Sequence, residues 1–176
     1  MPTDIPIRNV YYLICYAWNR LDQGQLVDVN RIPSTELVDL FAFVLCEGVH
    51  HLSRRGMEQN YQLREEELSS VRGRLDLTES IRRASFVHGR AYCRYDDLTT
   101  DTLANRIIKG TLIGLRKAEG LDARLRDRVH ATAQKLRTVT SVKVSKRHFK
   151  QVRVSSNGRL YRFVLSVCEL INDSTC

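Results

Sequence analysis

No stretch of about 18 consecutive apolar residues occurs in this 176-residue sequence, so no part of it reads as a membrane-spanning helix. The opening MPTDIPIRNVYYL lacks a cationic start and places an acid ahead of its apolar residues. It is not read as a signal peptide, and the cytoplasm is the expected compartment. Five cysteines, at 15, 46, 93, 168 and 176, include no C-x-x-C pair and are odd in number. Four of them lie among apolar residues and read as small core residues in a reducing compartment rather than as a disulfide or zinc framework. His50 and His51 are adjacent, about 100° apart on a helix, and do not form the i, i+4 pair that shares a metal. With three prolines and nine glycines, the chain has no linker rich in Pro, Gly or Ser, and no internal repeat.

Catalytic signatures are absent as well. There is no G-x-x-x-x-G-K-[ST] to cradle phosphates, no G-x-S-x-G and no H-E-x-x-H. Metal-dependent nucleases pair a carboxylate that holds Mg²⁺ with a lysine two positions on, and none of the 20 acidic residues has a lysine there. Asp96, Asp97 and Asp101 are the one carboxylate cluster to weigh, and YDDLTTD reads as capping and turn chemistry before a helix. No catalytic residue and no metal ligand is therefore assigned, and no self-sufficient active site is expected.

What the sequence does have is positive charge, unevenly spread. The net charge is +8, yet residues 116–162 hold fourteen Lys and Arg against three Asp and Glu, a net of +11, which leaves −3 for the rest. A basic segment of this kind suits a polyanion, an acidic protein surface or simply a solvated helical face.

The apolar periodicity predicts a mainly helical α+β protein. Ile7, Tyr11, Ile14, Trp18 and Leu21 recur at helical spacing. A second helix is expected from Pro33-Ser34, with Ser34 as its N-cap, to SRRG, with Gly56 as a left-handed cap. TTDTLANRIIKGTLIGLRKAEG reads as the clearest helix, capped by Thr99, Thr100 or Asp101 and ended by Gly120. Its Gly110 and Gly114 are spaced for close helix contact. Further helices are expected over about 121–136 and 160–172, with a turn at SSNGR. Between these, residues 59–96 alternate at period two and predict two or three short antiparallel strands, with TESIRRAS as a short helix among them. The expected architecture is one region: a helical part over 1–57, a small β element over 58–98 that projects from the helical body, and a basic helical part over 99–176. Strand alternation places Arg72 and Arg74 on one face, making that face cationic.

IPIRNVYYLICYAWNRL, LSRRGMEQNY, VRGRLDLTESI and YDDLTTDTLANRIIKGTL, in that order, resemble the McrC family, and YRFVLSVCELI resembles the stretch before that family's catalytic domain. McrC is the endonuclease subunit of a GTP-dependent, 5-methylcytosine-directed restriction system. The resemblance implies a partner, the AAA+ GTPase McrB, whose hexameric ring takes McrC's N-terminal region into its pore and is stimulated by it. It implies that GTP and Mg²⁺ belong to the partner and to a nuclease domain of the PD-(D/E)xK type, which has no counterpart here. The chain is thus expected to be a fragment or a truncated product, and no catalytic residue carries over.

Two surfaces follow. Arg72, Gly73, Arg74, Arg82, Arg83, Arg90 and Arg94 are candidates for partner contact, with Gly73 permitting close backbone approach. The competing reading pairs Arg72 with Glu65, Glu66 or Glu67 across the sheet. Lys143, Lys146, Arg147, Lys150 and Arg153 are candidates for the backbone of a DNA duplex, methylated in this system.

Overall fold

The computed structural model describes residues 7–17, 36–153 and 158–174. The chain divides into two compact units, Gln59–Thr100 and the remainder, Met1–Glu58 with Asp101–Cys176.

The larger unit is helical. It contains α1 (Ile7–Ala17), α2 (Leu37–Arg55), α4 (Leu103–Leu115), α5 (Ala123–Lys135), α6 (Lys146–Gln151) and α7 (Arg159–Ser174). None of the described helices is long and apolar enough to cross a membrane. α2 and α4 each pack against both α5 and α7. The reason is legible in the spacing: Leu125, Val129 and Thr132 bury one stripe of α5, and Leu160, Val164, Cys168 and Ile171 one stripe of α7. α2 is buried nearly all round from Asp39 to Leu45. Three polar groups stitch this core. The Asp122 N–H donates to buried Asp39 at 2.9 Å, just ahead of α5. Asp122 in turn caps α5 by accepting from the amides of Arg124 and Leu125. The Lys109 ammonium donates to the carbonyls of Leu136 and Val139 where α5 ends.

The smaller unit is a three-stranded antiparallel sheet, β1 (Asn60–Leu68), β2 (Arg74–Leu75) and β3 (Ala91–Thr99), in the order β1-β3-β2. A six-residue helix, α3 (Leu77–Arg82), and a 3₁₀ turn over Ser85–His88 join β2 to β3. Its core is small: Ala91, Cys93 and Tyr95, flanked by Leu68 and Leu75. Asp76 caps α3 by accepting from the Glu79 amide at 3.0 Å, and buried Ser80 accepts from the Tyr92 amide at 2.8 Å, pinning the helix to β3.

The mainly helical α+β reading thus agrees with the fold, and several details move. α4 is capped by Thr102, which accepts from the Asn105 amide, not by 99–101. It ends at Leu115, before Gly120. Gly56 follows α2 with the positive φ of 96 that favours glycine, but its ψ of 128 lies outside the expected αL cap. Gly110 meets the 142–144 segment instead of another helix. Cys46, Cys93 and Cys168 are buried free thiols, and burial pushes Cys168 up to about 12. Trp18, Leu21, Pro33, Ser34 and the Ser-Ser-Asn of SSNGR lie outside the described residues.

Candidate functional site

The cationic stretch 70–83 occupies the turn after β1, then β2 and α3. In the register, Arg74 opposes Arg94 and Leu75 opposes Cys93. Opposed residues share a face, so Arg74 and Arg94 lie with Tyr92 and Asp96, and Leu75 lies with Ala91, Cys93 and Tyr95. Arg72 leaves this alternation. Gly73 has φ 66 and breaks the strand. The Arg72 guanidinium then stands 4.3 Å from the centre of the Tyr95 ring and 3.4 Å from Asp97 Oδ1, on the Cys93 face. The expected shared face is thereby corrected: Arg72 and Arg74 serve opposite faces of the sheet.

Gly73 has an internal explanation. A Cβ there would sit 2.5 Å from the Arg94 carbonyl oxygen and 2.6 Å from the Tyr95 Cβ. The close approach it permits is to β3 of its own unit.

Charge is balanced on both faces. Asp97 takes Arg64 at 2.9 Å as well as Arg72. Arg94, not Arg72, pairs with Glu65, at 3.2 Å, and also with Asp76 at 2.9 Å. The Tyr95 hydroxyl donates to Glu66, and Ser85 donates to Glu67 at 2.9 Å. Arg82 and Arg83 both close on Glu79, at 2.8 and 3.2 Å, and Arg83 also lies 4.7 Å from the centre of the Tyr92 ring. Hydrogen bonds from Arg83, then Arg82, hold the Glu79 carboxyl below its usual value. Of the seven residues expected at a partner surface, Arg74 and Arg90 are the cations with no ion pair among the described residues.

Sequence reasoning missed the apolar component. Leu77 and Ile81, one turn apart on α3, are 57% and 70% exposed, and Phe86 and Val87 on the 3₁₀ turn are 48% and 81% exposed. On the Arg74 face of the sheet, Tyr61 opposes Leu98, and both are exposed. Eight of the twelve exposed large apolar side chains among the described residues lie on this small unit. Leu77 and Ile81 alone carried a helical spacing, and six residues are too few for a stripe to declare itself.

The C-terminal basic set is exposed throughout. Lys146, Arg147 and Lys150 lie on α6, and Arg153 just beyond it. Lys146 is paired with Asp173 at 3.1 Å. Lys143 belongs to the wall of a hollow beside α4. Two of the three YDDLTTD carboxylates have structural partners: Asp97 as above, while Asp101 binds Arg106 and Thr140. No group of three His, Cys, Asp or Glu among the described residues is placed to hold a metal ion.

Comparison with known proteins matches residues 10–175 to the family described as McrBC 5-methylcytosine restriction system component. The chain is 38% identical over 167 residues to the Escherichia coli K12 protein described as type IV methyl-directed restriction enzyme EcoKMcrBC. That match covers 95% of this chain and 48% of the relative, so the chain spans about half the relative's length. Its fold is similar to a chain of the Thermococcus gammatolerans McrBC complex, with a TM-score of 0.73 at 16% identity, covering 94% of this chain and 50% of that one. It is also similar to a chain in a half-complex of the tetradecameric assembly of T. gammatolerans McrB AAA+ hexamers with bound McrC. There the TM-score is 0.71 at 16% identity, over 96% of this chain and 41% of that one.

Proposed function

Because the chain belongs to the McrBC 5-methylcytosine restriction system component family, we propose that it is the non-catalytic N-terminal module of a McrC-like subunit. In this reading its β unit docks on a McrB-like AAA+ GTPase ring, stimulates GTP hydrolysis and couples it to DNA cleavage performed elsewhere in the complex. The observation that carries the proposal is the composition of the β unit's surface. Leu77, Ile81, Phe86 and Val87 are exposed, and Arg74 and Arg90 stand beside them in sequence without ion pairs among the described residues. Apolar side chains in water, and guanidinium groups not already committed to a carboxylate, gain most from being covered by a partner. An uncommitted arginine is also what a neighbouring GTP site requires to offset charge developing on phosphate.

The test is GTP turnover by the cognate ring GTPase with and without this chain. Ile81→Asp/Val87→Asp is expected to weaken binding by about tenfold or more. Arg74→Ala/Arg90→Ala is expected to retain binding and lower the stimulated rate by a similar factor. Full stimulation by both folded variants would remove the β unit from the interface.

A second reading rests on Arg147, Lys150 and Arg153, exposed and without ion pairs among the described residues. These three would hold a DNA backbone. Three phosphate contacts correspond to a log–log salt slope of about −2.7 for duplex binding. A flat salt response would dismiss it.

A further inference from the structure

The helical unit carries a trough that the β unit's proposed role leaves unused. Two hollows, about 500 Å³ and about 600 Å³, share Gly114, Leu115, Lys117 and Ile171, and so form one channel beside the second half of α4. Val142 and Val144 wall one end, and Val38 and Phe41 of α2 wall the other.

Gly114 lies where the two hollows meet. It is the last but one residue of α4, in a turn that alanine would hold better than glycine, so it invites a reason. Gly110, one turn earlier, has one within the chain, since a Cβ there would come 2.2 Å from the Val142 carbonyl oxygen. Gly114 has none, because a Cβ there meets nothing within 4 Å. Alanine would fit and would hold the helix better. What glycine gives is a bare backbone on the trough floor, against which another backbone can lie close. The charge is one-sided as well. Lys117 and Lys143 line the first hollow, both exposed and neither ion-paired among the described residues. The carboxylate among the lining residues, Glu119, belongs to the second hollow.

We infer that this trough docks an amphipathic helix of a partner, its apolar ridge over Gly114 and its carboxylates toward Lys117 and Lys143. An apolar floor with a cationic rim is the complement of an acidic amphipathic helix, and helices seat their apolar faces in grooves of this kind.

The probes are two fluorescein-labelled amphipathic peptides with the same Leu/Ala face, one flanked by Glu and one by Lys. Binding is read by anisotropy and by the methyl resonances of Ile113, Val144 and Ile171. The Glu-flanked peptide is expected to bind at least about tenfold tighter than the Lys-flanked one and to shift those methyls. Gly114→Leu, which fills the trough, is expected to abolish binding, and Lys117→Glu/Lys143→Glu to reverse the preference. Gly114→Ala serves as the folding control and is expected to raise the melting temperature. Equal affinity for the two peptides, undiminished binding to the Gly114→Leu chain, or unmoved methyls at saturating peptide would each overturn the inference. So would a crosslink from Lys117, in the full assembly, to a segment without carboxylates.

Discussion

Glu58 is the last residue of the helical unit before the chain enters the sheet, and side chains satisfy both of its backbone groups. Its amide donates to the Tyr161 hydroxyl at 2.6 Å, and its carbonyl accepts from Asn105 Nδ2 at 3.0 Å. The Tyr161 hydroxyl donates onward to Asn105 Oδ1 at 2.8 Å. Burial pushes the phenol up to about 12 and also raises the Glu58 carboxyl. Tyr161→Phe would leave the Glu58 amide and Asn105 Oδ1 without this partner. The expected loss is about 2 kcal/mol, a fall of roughly 4–8 °C in Tm by calorimetry. Asp101 governs the other return point. It accepts from Arg106 Nε and Nη2 at 2.9 and 2.8 Å and from the Thr140 amide and hydroxyl at 2.8 and 2.7 Å. Arg106 foremost, and Thr140, hold its carboxyl far below the usual range. A carboxyl depressed in the folded state adds stability above its unfolded value near 4, and loses it as pH falls toward the folded value. Asp101→Asn is therefore expected to cost about 1–2 kcal/mol at pH 7 in urea unfolding. The gap to the parent should narrow as pH drops below about 4. A gap constant from pH 7 to pH 3 would show that charge on Asp101 is not what stabilises the site.

Among the elements, two glycines decide how pieces meet. A Cβ on Gly48 would lie 2.6 Å from Val164 Cγ2, so α2 and α7 approach there at a distance that alanine would disturb. Gly73 fixes β2 against β3 in a backbone conformation with φ 66. Gly73→Ala is expected to cost about 2–3 kcal/mol, confined to the β unit. Hydrogen exchange at the Asp76 and Tyr92 amides, which bind the Tyr92 carbonyl and Ser80, should quicken while α4 and α7 keep their protection. Unchanged protection there would mean that β2 has another anchor. The same glycine marks the limit of what the sequence conveyed. α2, α4, α5 and α7 were legible because each has an apolar stripe at helical spacing long enough to outweigh its ends. The ends were not, since four Thr or Asp residues compete to cap α4 and only the geometry of Thr102 selects one. In the sheet, a positive φ at Gly73 is invisible in a string that alternates correctly. It sends Arg72 to Tyr95 and Asp97, and the single cationic face inferred from alternation divides, with Arg72 on one face of the sheet and Arg74 on the other.

At the scale of the whole molecule, the two units differ sharply in how much they bury. The helical unit has a continuous core from Leu40 to Ile171, whereas the sheet unit buries Ala91, Cys93 and Tyr95 against Leu68 and Leu75. A core that small is marginal by itself, because the apolar area removed from water scarcely offsets the entropy of ordering the strands. The helical unit already holds its own cut ends together: Glu58 is hydrogen-bonded to Asn105 and Tyr161, and its carboxyl to Thr102. Replacing residues 59–100 by a short Gly-Ser linker is therefore expected to leave one cooperative melting transition, with α4 and α7 protected from exchange. The excised 59–100 peptide is expected to show little fixed structure. The shortened chain should lose GTPase stimulation, since the exposed apolar residues and Arg74 and Arg90 are gone, and should still bind the Glu-flanked peptide at the trough. Retained stimulation would place the activating surface on the helices. Loss of the melting transition would show that the sheet is needed for the helical core itself.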